Sequence, residues 1–430
     1  MALSPVRRRE ILQALRHGTV PSGSLDVLAV GIDRFRSTVE EDLESVVTGG
    51  SMFKAVRGEY GSGKTFFARW VAHMALQRGM AVAEVQVNVS ETPLHKLQAI
   101  YRRSVESLRT ESAPPSALRN VVDAWLYAIE EDAAELSGRP EPRPSDVTSL
   151  MEKRLEDVSR VTPAFPMALR AYYMALERND VAVADALLAW LGGQPNVSAA
   201  AKARAGIRGE VDHNVALGFV QGLLAVLRGA RHPGLLLVID EVETVQRMRS
   251  DVREKALNTL RQLVDEVDSG RYPGLYVLVT GTPAFFDGRM GVQQLEPLAQ
   301  RLHTDFSGDV RFDNPRAPQL RLSPFDFDKL TEVGRRVRDL FAEGTTDPER
   351  VRTLVDDGYI YDLAVAVAGK LGGRVGISPR LFLRKLVLDV LDKVDQFADF
   401  DPRTHYSVMI GAADLTEAER EMVSAEDVPL

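Results

Sequence analysis

The spacing of apolar and polar positions changes several times along the chain, and each change predicts a new element. Residues 1–48 read as helical, Arg7 to Arg16 first and Phe35 to Val47 second, on either side of the turn-rich GTVPSGSLDVLAVGID. Met52 to Val56 is a short apolar run with strand character that ends at Arg57-Gly58. After the next glycines, Phe67, Trp70, Val71 and Met74 recur at spacings of three and four, so a helix buries that face and ends at Gly79. MAVAEVQVNVS, residues 80–90, is a second strand with β-branched residues and partial alternation. Strand, glycine loop, helix, strand is the order of a βαβ unit in a parallel sheet.

From about 105 to 230 the pattern turns to helices broken by SAPPS, SGRPEPRPSD, TPAFP and GGQPN, with neither strand alternation nor a repeat. GLLLVIDE, residues 234–241, is then a continuous apolar run, as expected of a strand buried on both faces. A helix through VREKALNTLRQLVDEV, an apolar strand GLYVLVTGT at 274–282 and a short strand PQLRL at 318–322 come next. Leu330, Val333, Val337 and Leu340 mark one face of a further helix, and helical pattern continues to about 397. The expectation is an α/β fold whose parallel-sheet core is split between 49–104 and 231–322. Around it stand an N-terminal helical linker at 1–48, an α-helical insertion at 105–230, a helical lid at 323–400 and a polar tail or short helices at 401–430.

Composition narrows the chemistry. The 430 residues are 45% hydrophobic and 27% charged, the balance of a soluble globular protein rather than a disordered one. Cys is absent, which excludes disulfides and thiolate zinc sites and fits a reducing cytoplasm. The seven His residues are scattered, with no H-x-x-x-H pair. The start, MALSPVRRREILQALRHG, has no apolar core of signal-peptide length, and no segment approaches the roughly 18 apolar residues of a membrane span. Net charge is −8, from 61 acidic and 53 basic side chains, so any nucleic-acid contact must come from a local patch.

The chemistry concentrates at the strand ends. Gly58-Glu59-Tyr60-Gly61-Ser62-Gly63-Lys64-Thr65 matches G-x-x-x-x-G-K-[ST] at every fixed position, between a strand and a helix. Glycines let backbone N–H groups turn inward on phosphates, aided by the dipole at the helix start. Lys64 would reach the β and γ phosphates, and the Thr65 hydroxyl would ligate Mg²⁺. Phe66 is grouped with the nucleotide contacts as the next residue, although FFARW as a whole reads as the buried face of the helix behind the loop. Asp240 and Glu241 close the strand Leu235 to Ile239, which puts both carboxylates at the carboxyl edge of a parallel sheet, where ligands bind. Asp240 would hold Mg²⁺ through water, and Glu241 would polarise an attacking water.

Three further positions are candidates for completing such a site. Thr280 or Thr282, in VLVTGTP, could sense the γ-phosphate or place the water. Arg301, in PLAQRLHTDF, could enter a neighbouring subunit's site in a ring and stabilise transition-state charge. Arg380, in GISPRLFLRKL, could reach the γ-phosphate from the lid, with Arg384 one turn later as the fallback. Two basic stretches, Lys202, Arg204 and Arg208, then Arg247, Arg249, Arg253 and Lys255, raise the question of DNA; acids interleave with the second, which favours a solvated face. The chain lacks a zinc knuckle, an aromatic-basic RNA motif and a helix-turn-helix signature. It also lacks N-K-x-D, which tilts the base preference to adenine.

The order of these motifs resembles the AAA+ P-loop ATPases: GEYGSGKT, LLLVIDE, the sensor strand VLVTGT, an arginine-finger candidate, then a helical lid with GISPR. AVGID, residues 29–33, sits where that superfamily contacts adenine. Long stretches, among them RGEYGSGKTFFARW, LLLVIDEVETVQR, YPGLYVLVTGTPAFFDG and GISPRLFLRKLV, are similar to the BrxD-type ATP-binding proteins of bacterial phage-exclusion (BREX) systems. That resemblance implies cytoplasmic antiviral defence beside a helicase and a DNA methyltransferase, with ATP and Mg²⁺ as cofactors and a homo-oligomer as the working form. Three functions remain open: an ATP hydrolase coupled to DNA or a DNA-bound complex, a nucleotide-gated scaffold with little turnover, and a helicase loader.

Overall fold

The computed structural model describes residues 3–21, 23–370, 379–411 and 414. Five strands form one parallel sheet: β1 Met52–Arg57, β2 Ala81–Gln86, β3 Leu235–Asp240, β4 Leu275–Gly281 and β5 Gln319–Arg321. Their order is β2-β3-β4-β1-β5. Alternate residues of β3 supply opposite faces of the sheet. Leu236 and Val238 join Val56, Val82, Tyr276 and Leu278 beneath the helices Arg36–Val47 and Lys64–Gln77. Leu235, Leu237 and Ile239 join Ala55, Ala83, Val277 and Val279 on the other face, under Ser250–Asp268 and the helices between β2 and β3. Coverage on both sides is why these strands carry unbroken apolar runs.

Register decides where the strands end. Val56 pairs with Thr280 and Arg57 with Gly281, while Ile239 pairs with Val279. Thus the carboxyl ends of β1, β3 and β4 lie level, and the turn after each strand emerges on one edge. β2 stops at Gln86, short of the run to 90 that composition predicts. Asn88 is the reason: its side-chain oxygen accepts from the backbone N–H groups of Ser90, Glu91 and Thr92, a turn that ends pairing. The outer edge of β2 is capped by an antiparallel bridge between Val82 and Arg109.

The segment between β2 and β3 is helical, from Leu97–Ser107 to Ala216–Gly229. Its hydrophobic core is continuous with the sheet face rather than separate from it. Tyr101, Phe165 and Trp190 meet the Phe219 ring edge-on, with centroids 5.6, 5.3 and 5.3 Å away.

After β5 the chain builds a second helical core. Leu330, Val333, Val337 and Leu340 on the helix Phe327–Ala342 pack with Ile360, Leu363, Phe382 and Leu386. The N-terminal residues, one linker by pattern, divide between two cores. Helix Pro5–Arg16 buries Ile11, Leu12 and Leu15 in the lid core, and the Arg16 guanidinium donates to both carboxylate oxygens of Asp392 at 2.8 and 2.7 Å. Phe35, Val39, Leu43 and Val46 instead pack on the sheet. Helical periodicity shows that both segments have a buried face but carries no information about its partner.

Ile11 is 1% exposed, although it lies near the start of the chain. Replacing it with Ala is expected to lower stability by about 2–5 kcal/mol through lost burial and a residual cavity. Denaturant unfolding measures this, and a change within about 0.5 kcal/mol, the range of a surface substitution, would contradict the packing of this helix into the lid.

Candidate functional site

Beyond β1 the chain turns through residues 58–63 into the helix Lys64–Gln77. Gly61 and Gly63 adopt φ of 76° and 89°, the left-handed region that side chains resist. Gly58 is required for space: a Cβ there would stand 2.2 Å from Ser62 Oγ and 3.3 Å from the Leu322 side chain. Gly63 caps the helix, whose first backbone N–H groups have no intrahelical partners. Beside them the buried Ser62 hydroxyl also lacks a partner. A glycine cradle with free donors and an orphaned hydroxyl fits an anion with several oxygens, such as a phosphate. Glu59 and Gly61 are exposed at the rim.

Lys64 is buried, and its ammonium donates back to the carbonyls of Gly58 at 2.9 Å and Glu59 at 3.3 Å, 5.1 Å from the centre of the Tyr60 ring. Next to it, Thr65 Oγ1 donates to Asp240 Oδ2 at 2.9 Å. The other Asp240 oxygen accepts from the Thr280 hydroxyl. The Glu241 N–H reaches both Asp240 Oδ1, at 3.1 Å, and Thr280 Oγ1, at 3.2 Å. Glu241 itself adopts φ 61°, ψ 45°, a left-handed conformation that is uncommon outside Gly, Asn and Asp. Such strain costs of order 1–3 kcal/mol and is held by its surroundings. Here the two contacts on its amide hold it, and Glu241 sits half-buried at the bend where β3 ends.

The structure therefore brings together Lys64, Thr65, Asp240 and Thr280, with Glu241 beside them. Thr280, the buried residue paired with Val56 across the sheet, reaches Asp240; Thr282 lies two residues on, at the start of the helix Pro283–Asp287. Phe66 is half-buried and packs against both the sheet core and the lid core. Phe67, Ala68 and Trp70 are buried behind the loop. Phe325, at the base of the lid, comes within 3.6 Å of where a Gly63 side chain would begin. In AVGID, Ala29 and Ile32 are buried, and the Ala29 carbonyl accepts from Arg336 of the lid helix at 2.8 Å.

The distant arginines are held elsewhere. Arg301 ends the helix Glu296–Arg301, pairs with Asp265 of the helix Ser250–Asp268, and donates to the Pro297 carbonyl at 3.1 Å. Arg380 donates to the Asp414 carbonyl at 2.8 Å and lies against Gly18, while Arg384 donates to the Asp414 carboxylate at 3.0 Å. Residues 376–378, the first part of GISPR, lie outside the described residues. In the basic stretches, Arg204 pairs with Asp180, Arg249 with Asp251 at 3.4 Å, and Arg253 donates to Gln294 at 3.0 Å.

Glu243 is the site residue that sequence reasoning missed. It lies after Asp240-Glu241 in the turn Val242–Arg247, is 7% exposed, and places Oε1 3.9 Å from Lys64 Nζ. Neither carboxylate oxygen has a hydrogen-bond partner. Burial pushes its carboxyl up to about 7, against the pull of Lys64. The available signal was a third acid in DEVE; after an acidic pair it looks like surface charge.

Among the described residues no group of three or more His, Cys, Asp or Glu could hold a metal ion. The Thr65 hydroxyl and Asp240 carboxylate instead offer two hard oxygen donors beside a phosphate cradle, the sparse protein ligation that Mg²⁺ takes with a nucleotide and water. No described helix is long and apolar enough to cross a membrane.

A family model described as BREX system ATP-binding protein BrxC/D matches residues 3–409. No curated protein matches the chain. The ORC2 protein of Aeropyrum pernix, solved as ADPNP-ADP complexes, is similar at 15% identity and a TM-score of 0.35; the match covers 82% of this chain and 66% of that chain, just under two thirds of its length. With a family match across nearly all its length, the chain belongs to the BREX system ATP-binding BrxC/D family.

Proposed function

We propose that this chain hydrolyses Mg-ATP, as one subunit of an oligomer, and couples turnover to DNA or a DNA-bound assembly in phage exclusion. The observation that carries the proposal is the tie from Asp240 to Thr65 on one side and Thr280 on the other, with Glu241 fixed at the adjoining bend. In it, the loop at 58–65 takes the phosphates on backbone N–H groups, and Lys64 turns from the carbonyls of Gly58 and Glu59 to phosphate oxygens. Thr65 and Asp240 would hold Mg²⁺, which would neutralise charge on the phosphates. Glu241 accepts a proton from the attacking water, and Thr280 keeps Asp240 and the Glu241 amide in register.

The arginines support an oligomeric reading. Within one chain Arg301 is engaged with Asp265 of the helix Ser250–Asp268. A cation so placed serves a neighbour's site by exchanging that partner for the transferring phosphoryl group. Arg380, on a lid that also packs against the phosphate loop through Phe325, supplies a second cation from the same chain. Family membership supports a place in a BREX system; we propose that the chain acts there in the cytoplasm beside other phage-exclusion components, a helicase and a methyltransferase among them.

A second reading is a nucleotide-gated scaffold with little turnover. It is favoured by the same engagement of Arg301 with Asp265 and of Arg380 with Asp414, contacts that hold both guanidinium groups within the single chain.

Three substitutions test the proposal. Glu241→Gln is expected to keep ATP affinity and to lower phosphate release at least about hundredfold, the scale of a general-base contribution; undiminished release would remove Glu241 from the reaction. Arg301→Ala is expected to lower turnover about tenfold or more, with partial recovery on mixing with Lys64→Ala subunits, because each variant supplies what the other lacks. No recovery at any mixing ratio rules out a finger acting across an interface. Gly58→Ala, whose new methyl would collide with Ser62, is expected to weaken nucleotide binding about tenfold, or roughly 1.4 kcal/mol; unchanged affinity in a fluorescent-nucleotide titration contradicts the cradle.

A further inference from the structure

The buried Glu243 carboxylate has no role in the reaction as derived, yet it faces the most constrained cation of the site. Its only close positive partner in the described contacts is Lys64, at 3.9 Å, beyond hydrogen-bond length. A buried carboxyl without donors is costly, and native structures retain such groups where they do something. Lys64 carries three N–H donors. Two are occupied by the carbonyls of Gly58 and Glu59, and the Glu243 carboxylate draws the same ammonium toward the turn after β3. Asp240 forms no ion pair with Lys64 among the described contacts, and its two oxygens accept from Thr65 and Thr280.

A nucleotide that recruits Lys64 must move the ammonium off those carbonyls toward its β-phosphate. Every step away from Glu243 leaves a buried carboxylate with less compensation, in surroundings where charges act strongly on one another. We propose that Glu243 is a positioning residue that competes with the nucleotide's β- and γ-phosphates for the Lys64 ammonium, holding it retracted until phosphate displaces it. Occupancy of the phosphate loop is then sensed by the turn after β3, because a change at Lys64 alters the electrostatic balance of a residue two positions beyond Glu241. The inference rests on nucleotide binding at the phosphate loop and adds a carboxylate that sets the affinity and selectivity of that step.

The contest involves only ligands that reach Lys64, so ligands of different phosphate length separate it from a general structural effect. The probes are AMP, ADP and a slowly hydrolysed ATP analogue, each titrated against the full chain at pH 8, above the value of about 7 to which burial raises the Glu243 carboxyl. Glu243→Gln keeps the shape and removes the charge. It is expected to tighten binding of ADP and the ATP analogue by on the order of three- to tenfold and to leave AMP unchanged. Glu243→Asp withdraws the charge by one methylene and is expected to fall between wild type and Glu243→Gln, which also provides a readout if the Gln variant does not fold. Equal shifts for all three nucleotides, no shift, or weaker ADP binding in the variants overturns the role of Glu243 while leaving the site intact. Failure of the unsubstituted chain to bind ADP at all overturns the phosphate-loop reading beneath it.

Discussion

The Asp240 carboxylate is the contact on which the site depends. One oxygen accepts from Thr65 in the first turn of the helix behind the glycine loop, and the other accepts from Thr280 at the end of β4. A single side chain thus fastens the ends of β3 and β4 to the helix after β1. This works only because the parallel register sets Ile239 beside Val279 and Val56 beside Thr280, with all three strands finishing level. A displacement of one residue in any of them would turn these side chains to the opposite face. The sheet holds register because both of its faces are packed, by the helices Arg36–Val47 and Lys64–Gln77 on one side and by the long helical segment on the other. Far from the chemistry, the insertion contributes to the site by keeping β3 buried.

A second constraint links the loop to the lid. Phe66 leaves the phosphate-loop helix to touch both hydrophobic cores, Phe325 approaches Gly63, and Arg336 of the lid bonds the carbonyl of Ala29. The first helix packs its apolar face into the lid while the second packs on the sheet. The segment between them, which includes AVGID, is anchored at both ends to the two bodies that flank the loop. Phe66, Phe325 and Arg336 are thus contacts through which the second helical core meets the sheet and the glycine loop.

Much of this was legible in the sequence. The spacing of glycines before Lys64-Thr65, and an apolar run ending in two acids, located the loop and β3 from the residues alone, because each needs particular residue types at fixed positions. The features that stayed open depend on contacts between distant segments. Thr280 and Thr282 lie two residues apart, and only the end of β4 at Gly281 separates them, leaving Thr280 in the strand, where it reaches Asp240. Glu243 resembles surface charge in a linear reading, since its burial arises from the turn that β3 makes against the phosphate loop. Residues 7–16 announced a helix but not that its apolar face belongs to a core formed more than 300 residues later. Early termination of β2 came from the side-chain turn at Asn88, which competes with strand pairing in a way that β propensity does not register.

The central claim is that the cluster around Asp240 forms a hydrolytic site that a neighbouring copy completes. It is tested most directly by phosphate release from Mg-ATP per subunit, measured over a range of protein concentrations alongside mass in solution. The account predicts a specific rate that is low for the isolated chain and rises with concentration in step with assembly. A chain that binds ATP but releases no phosphate at any concentration, or one whose specific rate stays constant as it assembles, would contradict it.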